Sequence, residues 1–368
     1  MIQLQNSRGT VSFLIRVYNS PRDYPEVEAQ LAELAALHPQ FRVIRVLDST
    51  SKADNINYFL SLKENKGEIT SIYDTDHYPD VRALKFVARR FLAGNVDIVQ
   101  GRCCIYNTSV SRCTKLVAAE FDLIYGVFHP GRANFHGYGL FGGSNGHWNS
   151  SLLRTLGMQK HMLTEDIDSS LRAITSGARV VYDLRVISFE TAPETFRALL
   201  RQRLRWAQGW TQVTIRHTVP ALKRGAAGSY FRSRIGLFFL LGFRELFFHF
   251  LAQLSCLLLS SLMTHYPTSW SMLYRSLLGF KISVWLLVIN IFCILTSTVI
   301  TLRNRSNFTT VGAIVAFGVT SPLYFTIVSV TSIFCHFREL TRYSNWNATQ
   351  RGRPATRTDD ALEMTARN

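Results

Sequence analysis

The sequence predicts an α/β domain followed by a helical membrane region, and three observations carry that prediction. Strand-like and helix-like segments alternate up to about residue 200, three long apolar runs follow Ile235, and a basic stretch joins the two parts. A chain of 368 residues is long enough for one domain of ordinary size and a membrane region. The hydrophobic content of 47% is ordinary, so its uneven placement distinguishes the two parts.

The alternation predicts a sheet built from βαβ-like units. Strands are rich in Val, Ile and aromatic residues, whereas helices have apolar side chains at three- and four-residue spacing. The predicted strands are 11–18, 41–47, 68–73, 96–100, 180–182 and 186–189, and the predicted helices are 26–37, 52–60, 115–128 and one that begins near residue 164.

Two carboxylates, Asp74 and Asp76, follow the predicted strand 68–73. Ligands of open α/β sheets collect beyond the carboxyl ends of the strands, so this is a suitable place for a site. One residue apart in an extended chain, the two side chains point to the same side and concentrate negative charge. A hard divalent cation such as Mg²⁺ or Mn²⁺ would compensate that charge and also bind diphosphate oxygens. The alternative is a solvated turn that caps a helix.

Five glycines crowd the stretch 137–148, which predicts either a loop that wraps a sugar or phosphate or a flexible connector. Further on, Thr164, Glu165 and Asp166 precede an apolar helical pattern. Thr164 is therefore expected to cap a helix with the two acids in its first turn. Capping alone would explain these residues, but an Asp here can also act as a general base toward an acceptor hydroxyl.

The basic stretch 201–210 joins the two parts of the chain. If it is helical, Gln202, Arg205 and Trp206 share one face and can hold a phosphorylated sugar through an amide, a guanidinium and an apolar plate. The other interpretation is a basic amphipathic helix on anionic lipid, with Trp206 and Trp210 at the headgroup level. The two interpretations are compatible, because an interfacial helix can cover an active site.

The net charge of +16 does not indicate a nucleic-acid partner, because nine Lys/Arg fall between Arg197 and Arg234, directly before the first apolar run. That placement fits anionic lipid and the positive-inside rule. The six cysteines show no CxxC pair and no zinc-like spacing, which predicts reduced thiols. Residues 1–10 are polar and do not resemble a secretory signal, so we expect the α/β domain to face the cytosol.

The three apolar runs are 235–263, 282–302 and 311–337, and each exceeds the roughly 20 residues that cross a bilayer. Arg244 and Glu245 interrupt the first run, which predicts an interfacial lead-in before a span near 246–263. A hairpin of the first two runs would leave Arg303 and Arg305 in the cytosol. Ser321-Pro322 is expected to break the third run, which can cross, re-enter or lie along the interface.

Five motifs, taken in order, resemble the signature of processive family 2 glycosyltransferases. They are Lys52-Ala53, Asp74-Thr75-Asp76, the loop 142–145 (GGSN), Thr164-Glu165-Asp166 and the stretch 202–206 (QRLRW). These glycosyltransferases are the membrane synthases of cellulose, chitin, hyaluronan and related glucans. The resemblance covers residues 40–350. It implies a cytosolic GT-A domain that transfers a sugar, usually from a UDP-sugar, with inversion to a growing β-linked glycan.

The resemblance also implies a role for each matching residue. Asp74 and Asp76 would hold Mg²⁺ or Mn²⁺ and the diphosphate, with Lys52 beside the nucleotide. Asp166 would be the catalytic base and Glu165 would lie on the acceptor side. The helix motif would complete the site, with Gln202 and Arg205 at the donor diphosphate and Trp206 stacked on the acceptor sugar.

The chain also departs from the family pattern, because a first strand with a Tyr-Asn-Glu-like turn is not evident. The predicted architecture is therefore a GT-A domain without its first strand (1–196), an amphipathic interfacial region (197–234), transmembrane and interfacial helices (235–337), and a cytosolic segment (338–368). In the last, 346–351 resembles a gating loop and a disordered basic tail follows. The expected location is the plasma membrane rather than the Golgi. The alternative function is an inactive homologue that binds lipid or a partner synthase subunit.

Overall fold

A computed structural model gives the fold of the chain. It describes residues 2–4, 11–17, 25–38, 41–47, 49–63, 67–226, 230–264, 266–278 and 281–341. The gating-like loop and the basic tail predicted for 342–368 lie outside the described residues.

Within those ranges the chain forms one mixed sheet surrounded by helices. The strands are β1 (Ile2–Leu4), β2 (Val11–Val17), β3 (Phe41–Arg45), β4 (Ile69–Ile72), β5 (Tyr78–Pro79), β6 (Ile98–Ile105), β7 (Gly146–Asn149) and β8 (Val180–Glu190). The helices are α1 (Pro25–Leu37), α2 (Lys52–Ser61), α3 (Ala83–Leu92), α4 (Arg112–Leu123), α5 (His129–His136), α6 (Ser150–Leu156), α7 (Glu165–Thr175), α8 (Phe196–Arg224), α9 (Tyr230–Leu237), α10 (Arg244–Thr264), α11 (Trp270–Leu278), α12 (Lys281–Arg303) and α13 (Val311–Leu340). Two π-helical segments, Ile124–Phe128 and Phe238–Phe243, precede α5 and α10.

The sheet has the order β3-β2-β1-β4-β7-β6-β8-β5, and β6 is buried along its whole length. Strand β6 runs parallel to β8 and antiparallel to β7. Two features differ from the sequence prediction. Residues 180–190 form one strand with an irregular register opposite Gly101 and Arg102 rather than two short strands, and the glycine-rich stretch continues into β7. Trp148 of β7 is fully buried and meets Phe141 edge to face, which anchors the core behind the loop.

The place beside β4 is taken by β1. This three-residue strand pairs antiparallel with both β2 and β4. In the part of the chain that the structure describes, β2 and β3 form a parallel pair at the sheet edge, but a parallel neighbour of β4 is not found. The absence of a first strand with a Tyr-Asn-Glu-like turn therefore stays a prediction.

Helix α8 is 29 residues long and contains the whole stretch 201–210. Thr195 caps its start, accepting the Ala198 N–H at 3.3 Å, and Gly225 ends it with a left-handed φ of 67°. The basic stretch is therefore helical, and the shared face of Gln202, Arg205 and Trp206 follows from the helical repeat.

The expectation that Ser321-Pro322 breaks the third apolar run is wrong, because α13 is continuous from Val311 to Leu340. Pro322 cannot donate to the carbonyl of Gly318, but the Ser321 hydroxyl donates to that carbonyl at 2.8 Å and satisfies it. Among the described residues, α13 is the one helix that is long and apolar enough to cross a membrane. Helix α11 was not predicted.

The C-terminal helices are joined to the sheet domain by polar contacts. Arg102 of β6 forms a 2.7 Å ion pair with Asp122 of α4. The same Asp122 accepts the backbone N–H of Ser306, in the α12–α13 connection, at 3.0 Å. Thr108 donates to the Phe308 carbonyl at 3.1 Å. The connection between α12 and α13 therefore lies against the α/β domain.

Candidate active site

A cavity of about 1860 Å³ lies between the sheet domain, α8 and the C-terminal helices. Its walls at the sheet end come from the start of α2, the end of β4, the glycine-rich loop and the start of α7. It reaches between α12 and α13 at the other end. Seven of the eight residues to which the sequence assigned a role line it, namely Lys52, Asp74, Glu165, Asp166, Gln202, Arg205 and Trp206.

Lys52 is the centre of the polar end of this cavity. It begins α2, whose N-cap Ser51 accepts the N–H of Asp54 at 3.1 Å. Its ammonium donates to the carboxylate of Asp74 and, at 2.6 Å, to the Gly143 carbonyl. Burial alone would lower the pKa of Lys52, but the carboxylates of Asp74, Glu165 and Asp166 outweigh it and raise the pKa. Lys52 is therefore a fixed positive charge among three acids.

The two aspartates of the DxD motif have different surroundings. Asp74 binds Lys52, and its backbone N–H donates to the Ser144 hydroxyl at 3.1 Å. Asp76 accepts from the Thr191 hydroxyl at 3.3 Å and is not among the residues that line the cavity. Residues 75 and 76 form a turn, so the expectation of an extended chain across the motif is wrong. The β4 strand ends at Ile72, two residues before the pair.

The glycine-rich loop is held by hydrogen bonds rather than acting as a flexible connector. The Gln100 carboxamide accepts the N–H of Gly142 and donates to the Ser144 carbonyl, both at 3.0 Å. Gly143 has a φ of 97°, and a Cβ placed on it would stand 2.5 Å from Oδ2 of Asp166. A glycine is therefore required for the loop to approach the acid so closely.

Glu165 and Asp166 form the first turn of α7. Burial raises the pKa of Asp166, while Lys52 opposes the shift. Burial and the neighbouring Asp166 raise the pKa of Glu165 to about 7. Thr164 does not cap the helix through its side chain, contrary to the sequence prediction: its hydroxyl is buried without a partner in the described structure, and its methyl would clash with any Cβ at Gly209 of α8.

The α8 motif places three side chains on the cavity in different ways. Gln202 is buried, and its carbonyl oxygen accepts from Arg203 at 3.1 Å. Arg205 has a buried Nε for which the described residues supply no acceptor. The guanidinium of Arg203 lies 4.4 Å from the ring centroid of Trp206, and the indole is partly buried against the cluster that includes Phe121 and Leu199.

Sequence reasoning missed two polar groups near the cavity. Arg203 of α8 forms a 2.6 Å ion pair with Glu120 of α4, and both contact the Tyr324 hydroxyl of α13. His77 and Glu190 also line the cavity and form a buried ion pair at 3.2 Å. Arg203 lies within the α8 motif and His77 directly follows the DxD motif. Their partners, Glu120 and Glu190, are 83 and 113 residues away in the sequence and could not be identified from it.

Comparison with known proteins decides the family. The family model described as "Glycosyl transferase family group 2" matches residues 70–302, which include the DxD motif, the glycine-rich loop, the start of α7 and α8. The chain belongs to this family of glycosyltransferases.

Curated relatives of the glycosyltransferase agree with that assignment. It is 30% identical over 149 residues to a probable glucomannan 4-beta-mannosyltransferase of Oryza sativa subsp. japonica, covering 39% of this chain and 25% of the relative. It is 24% identical over 239 residues to the poly-beta-1,6-N-acetyl-D-glucosamine synthase of Staphylococcus epidermidis, covering 58% of this chain and 57% of the synthase. The chain thus spans between a quarter and somewhat over half of these two relatives.

A solved structure supports the GT-A-like fold. The mannosyltransferase of Pyrobaculum calidifontis, in complex with GDP-Man and Mn²⁺, superposes with a TM-score of 0.54 at 17% identity and covers 90% of this chain and 87% of that chain. At this identity the likeness concerns the fold alone. The glycosyltransferase described here therefore combines a GT-A-like domain with C-terminal apolar helices.

The acidic end of the cavity suits a divalent cation. Asp74, Glu165 and Asp166 bring three carboxylates around the single ammonium of Lys52. Asp74 and Asp76 supply hard oxygen donors of the kind that Mg²⁺ and Mn²⁺ prefer. Of these two expected ligands, Asp74 lines the cavity, whereas Asp76 is held by the Thr191 hydroxyl and does not line it.

Proposed function

We propose that this chain is a membrane glycosyltransferase that transfers a sugar from a UDP-sugar, with inversion, to a hydroxyl of a growing β-linked glycan. The observation that carries the proposal is the contact of Gly143 with Asp166 at the polar end of the cavity, beside the Lys52–Asp74 pair. This places a carboxylate with a raised pKa next to a loop and a cation that suit the donor diphosphate.

Asp166 has the environment of a general base. Burial raises the pKa of Asp166, which makes its carboxylate a stronger acceptor of a proton, and the charge of Lys52 opposes that rise. In the proposed reaction the acceptor oxygen bonds to the anomeric carbon and its proton goes to Asp166. The bond from that carbon to the phosphate oxygen breaks, and its electron pair leaves with the nucleoside diphosphate.

The donor side would be held by Lys52, Arg205 and Gln202, with Asp74 and Asp76 as the ligands of Mg²⁺ or Mn²⁺. The metal ion, when bound, neutralises charge on the diphosphate. Arg205 supports this role because its buried Nε lacks an acceptor within the described ranges. A planar guanidinium matches phosphate oxygens well.

The acceptor side would be formed by Trp206 and Glu165. Trp206 lines the cavity, and its apolar indole would stack on a sugar ring. Glu165, with a pKa of about 7, can donate or accept a hydrogen bond near neutral pH.

The proposed placement is a multi-pass protein of the plasma membrane with residues 1–196 in the cytosol, 197–234 at the interface and 235–337 as spanning or interfacial helices. The α12–α13 connection, which lies against the α/β domain through Asp122 and Ser306, supports a cytosolic turn there. The sequon at Asn307 lies in this connection and should stay unmodified in a glycosylation-competent cell. A glycosidase-sensitive mass shift that Asn307→Gln abolishes would contradict this placement.

A second candidate, an inactive homologue that binds lipid or a partner synthase, is favoured by one observation. The place beside β4 is held by the antiparallel β1 rather than by a parallel strand. In this case the cavity would bind a ligand without catalysing its reaction.

The decisive experiment incubates membranes containing the full chain with radiolabelled UDP-glucose, UDP-N-acetylglucosamine or GDP-mannose and Mg²⁺ or Mn²⁺. We expect glycosidic product from a UDP-sugar, and none from membranes with Asp166→Asn. Product from GDP-mannose alone would overturn the UDP assignment. Donor binding without product from any donor would favour the second candidate.

A further inference from the structure

The cavity continues past the polar end into a second part between the C-terminal helices, which we call the apolar limb. Its walls include Phe247 and Phe248 of α10, Phe292 and Ile300 of α12, and Phe317 and Leu323 of α13. The base Asp166 and these side chains line one and the same cavity. A molecule bound at Asp166 can therefore extend into the limb.

Four hydroxyl groups on the walls of the limb are already used by their own helices, whereas the buried hydroxyl of Ser332 has no partner among the described residues. Ser297 donates to the Ile294 carbonyl at 3.0 Å and Thr301 to the Ser297 carbonyl at 2.7 Å. Across the limb, Ser321 donates to Gly318 and Thr326 to Pro322, at 2.8 and 2.9 Å. A saccharide in the limb would bury many hydroxyls with few donors to meet them, which is costly. Hydrocarbon has no such cost.

The limb also opens sideways. Phe292 and Leu323 line it, yet 68% and 67% of their surfaces are exposed. They therefore lie both on the wall of the limb and on the outer face of the helices. Apolar side chains so exposed on helices of this composition suit a lipid surrounding rather than water. A hydrocarbon chain can enter from the bilayer between α12 and α13.

A cation also faces the cavity. Arg132 of α5 lines the cavity, and its Nη1 is buried without an acceptor among the residues described. Burial lowers the pKa of Arg132. Its helix also carries His129, which stacks on Tyr125 at 4.9 Å, and a Cβ on Gly142 would be 3.4 Å from the Tyr125 hydroxyl. Helix α5 thus leads directly into the glycine-rich loop, and a buried guanidinium nitrogen that lacks an acceptor suits an anion.

From these contacts we infer that the acceptor is a membrane lipid with an acidic head group, whose hydrocarbon chain occupies the apolar limb. The inference rests on the proposed function and names its acceptor. The phosphate of the head group would pair with Arg132, and a hydroxyl of the same head group, or of a sugar attached to it, would face Asp166. That hydroxyl loses its proton to Asp166 and gains the sugar, as in the reaction above.

The test is photolabelling of the full chain in lipid nanodiscs, because labelling does not require turnover. The probes are phosphatidylglycerol and phosphatidylcholine that carry a diazirine on one acyl chain. We expect label from phosphatidylglycerol on cavity-facing positions of α12 and α13. Ser297→Trp, which fills the limb, should reduce that label at least fivefold. The matched control Leu295→Trp, on the exposed face of the same helix, should leave it unchanged.

A second pair of variants tests the charge of the head group. Arg132→Gln should reduce labelling by phosphatidylglycerol several-fold and leave labelling by phosphatidylcholine unchanged. Arg112→Gln, at an exposed position of α4, is the control. The inference is overturned if the label is confined to outward-facing positions. It is also overturned if Ser297→Trp and Leu295→Trp both leave the amount of label unchanged. If Arg132→Gln reduces labelling by phosphatidylglycerol and by phosphatidylcholine equally, the acidic head group is wrong.

A transfer assay separates this inference from the proposed function. In the same nanodiscs, radioactive sugar from the donor should move into the organic phase with the lipid. If product forms only on soluble oligosaccharides, the lipid acceptor is wrong and the glycosyltransferase stands. If the limb is labelled as expected but no acceptor gains sugar, the proposed function fails and the lipid site stands.

Discussion

Two groups of charges line the same cavity, and they differ in how completely their charges are paired. The helix node joins Glu120, Arg203 and Tyr324. The acidic site joins Lys52, Asp74 and Asp166, with Glu165 beside them.

In the helix node the polar atoms are satisfied. The guanidinium of Arg203 donates to Gln202, Tyr324 and Glu120, and both oxygens of Glu120 accept a hydrogen bond. Burial opposes the charge of Arg203, but Glu120 raises its pKa. Such a node fixes α4, α8 and α13 relative to one another and leaves no atom for a ligand.

In the acidic site the charges are not balanced. Three carboxylates, those of Asp74, Glu165 and Asp166, act on the ammonium of Lys52, and burial together with Asp166 raises the pKa of Glu165 to about 7. The comparison teaches that a saturated cluster holds the structure, whereas an unbalanced one is prepared for a ligand. The following changes test that distinction, beginning with the largest expected effect.

Asp166→Asn should lower the rate of transfer about 10²- to 10⁴-fold, because the amide cannot take the acceptor proton. The affinity for the UDP-sugar and the melting temperature should stay near the parental values, since Asn has nearly the same size. Initial rates and isothermal titration of the donor measure the two quantities. Transfer at the parental rate would show that Asp166 is not the base.

Asp76→Asn should weaken metal-dependent binding of the UDP-sugar about 10- to 100-fold, because it removes a charged metal ligand. Titrations with Mn²⁺ and with a chelator measure the difference. Parent and variant should bind the donor alike in the chelator. If the Mn²⁺-dependent affinity is unchanged, the pair is a structural turn.

Arg203→Ala should lower the free energy of unfolding by about 3 kcal/mol or more, because Glu120 is left buried and unpaired. Tyr324→Phe removes only a hydroxyl and should cost about 1 kcal/mol. Thermal and chemical unfolding in detergent measure both. A loss of transfer without a loss of stability in Arg203→Ala would place the node in the chemistry after all.

Glu165→Gln should change how stability depends on pH. The pKa of Glu165 is raised from 4.5 to about 7 in the folded chain, so the folded state holds the proton more tightly than the unfolded state. Stability from this group is therefore present below pH 4.5 and lost as the pH rises through about 7. With a chelator present, Glu165→Gln should raise the melting temperature at pH 8 and leave it unchanged near pH 4.5. The exposed Glu33→Gln is the control, and a parallel shift in both variants would contradict the assignment.

Local patterns were enough to predict several elements of the fold. The shared face of Gln202, Arg205 and Trp206 on α8 could be predicted because these residues stand three and four positions apart. Asp74 could be placed beyond β4 because a run of β-branched residues precedes it. These features depend on contacts within one turn or one strand, and no distant partner alters them.

Other features depend on contacts that the sequence pattern does not reveal, and they could not be predicted. Strand β7 begins with a glycine and exists because β4 and β6 lie on either side of it. Thr164 looked like a helix cap, but packing against Gly209 takes its side chain elsewhere. Pro322 looked like a helix break, yet a serine one residue earlier supplies the missing hydrogen bond. In each case the residue type was interpreted correctly, but the sequence did not reveal which residue it contacts in the fold.

The contact between the α12–α13 connection and α4 has a practical consequence for anyone who wants a water-soluble version of the enzyme. Cutting the chain after Arg224 would remove Ser306, which donates to Asp122, and Tyr324, which donates to Glu120. Both acids would remain on α4, each with an arginine but without its second donor. The same cut would uncover Ala119 and Leu123 of that helix, which pack against Ile314 and Phe317. A shortened protein of this kind should aggregate unless those positions are redesigned, so purification in detergent with all helices present is the better starting point.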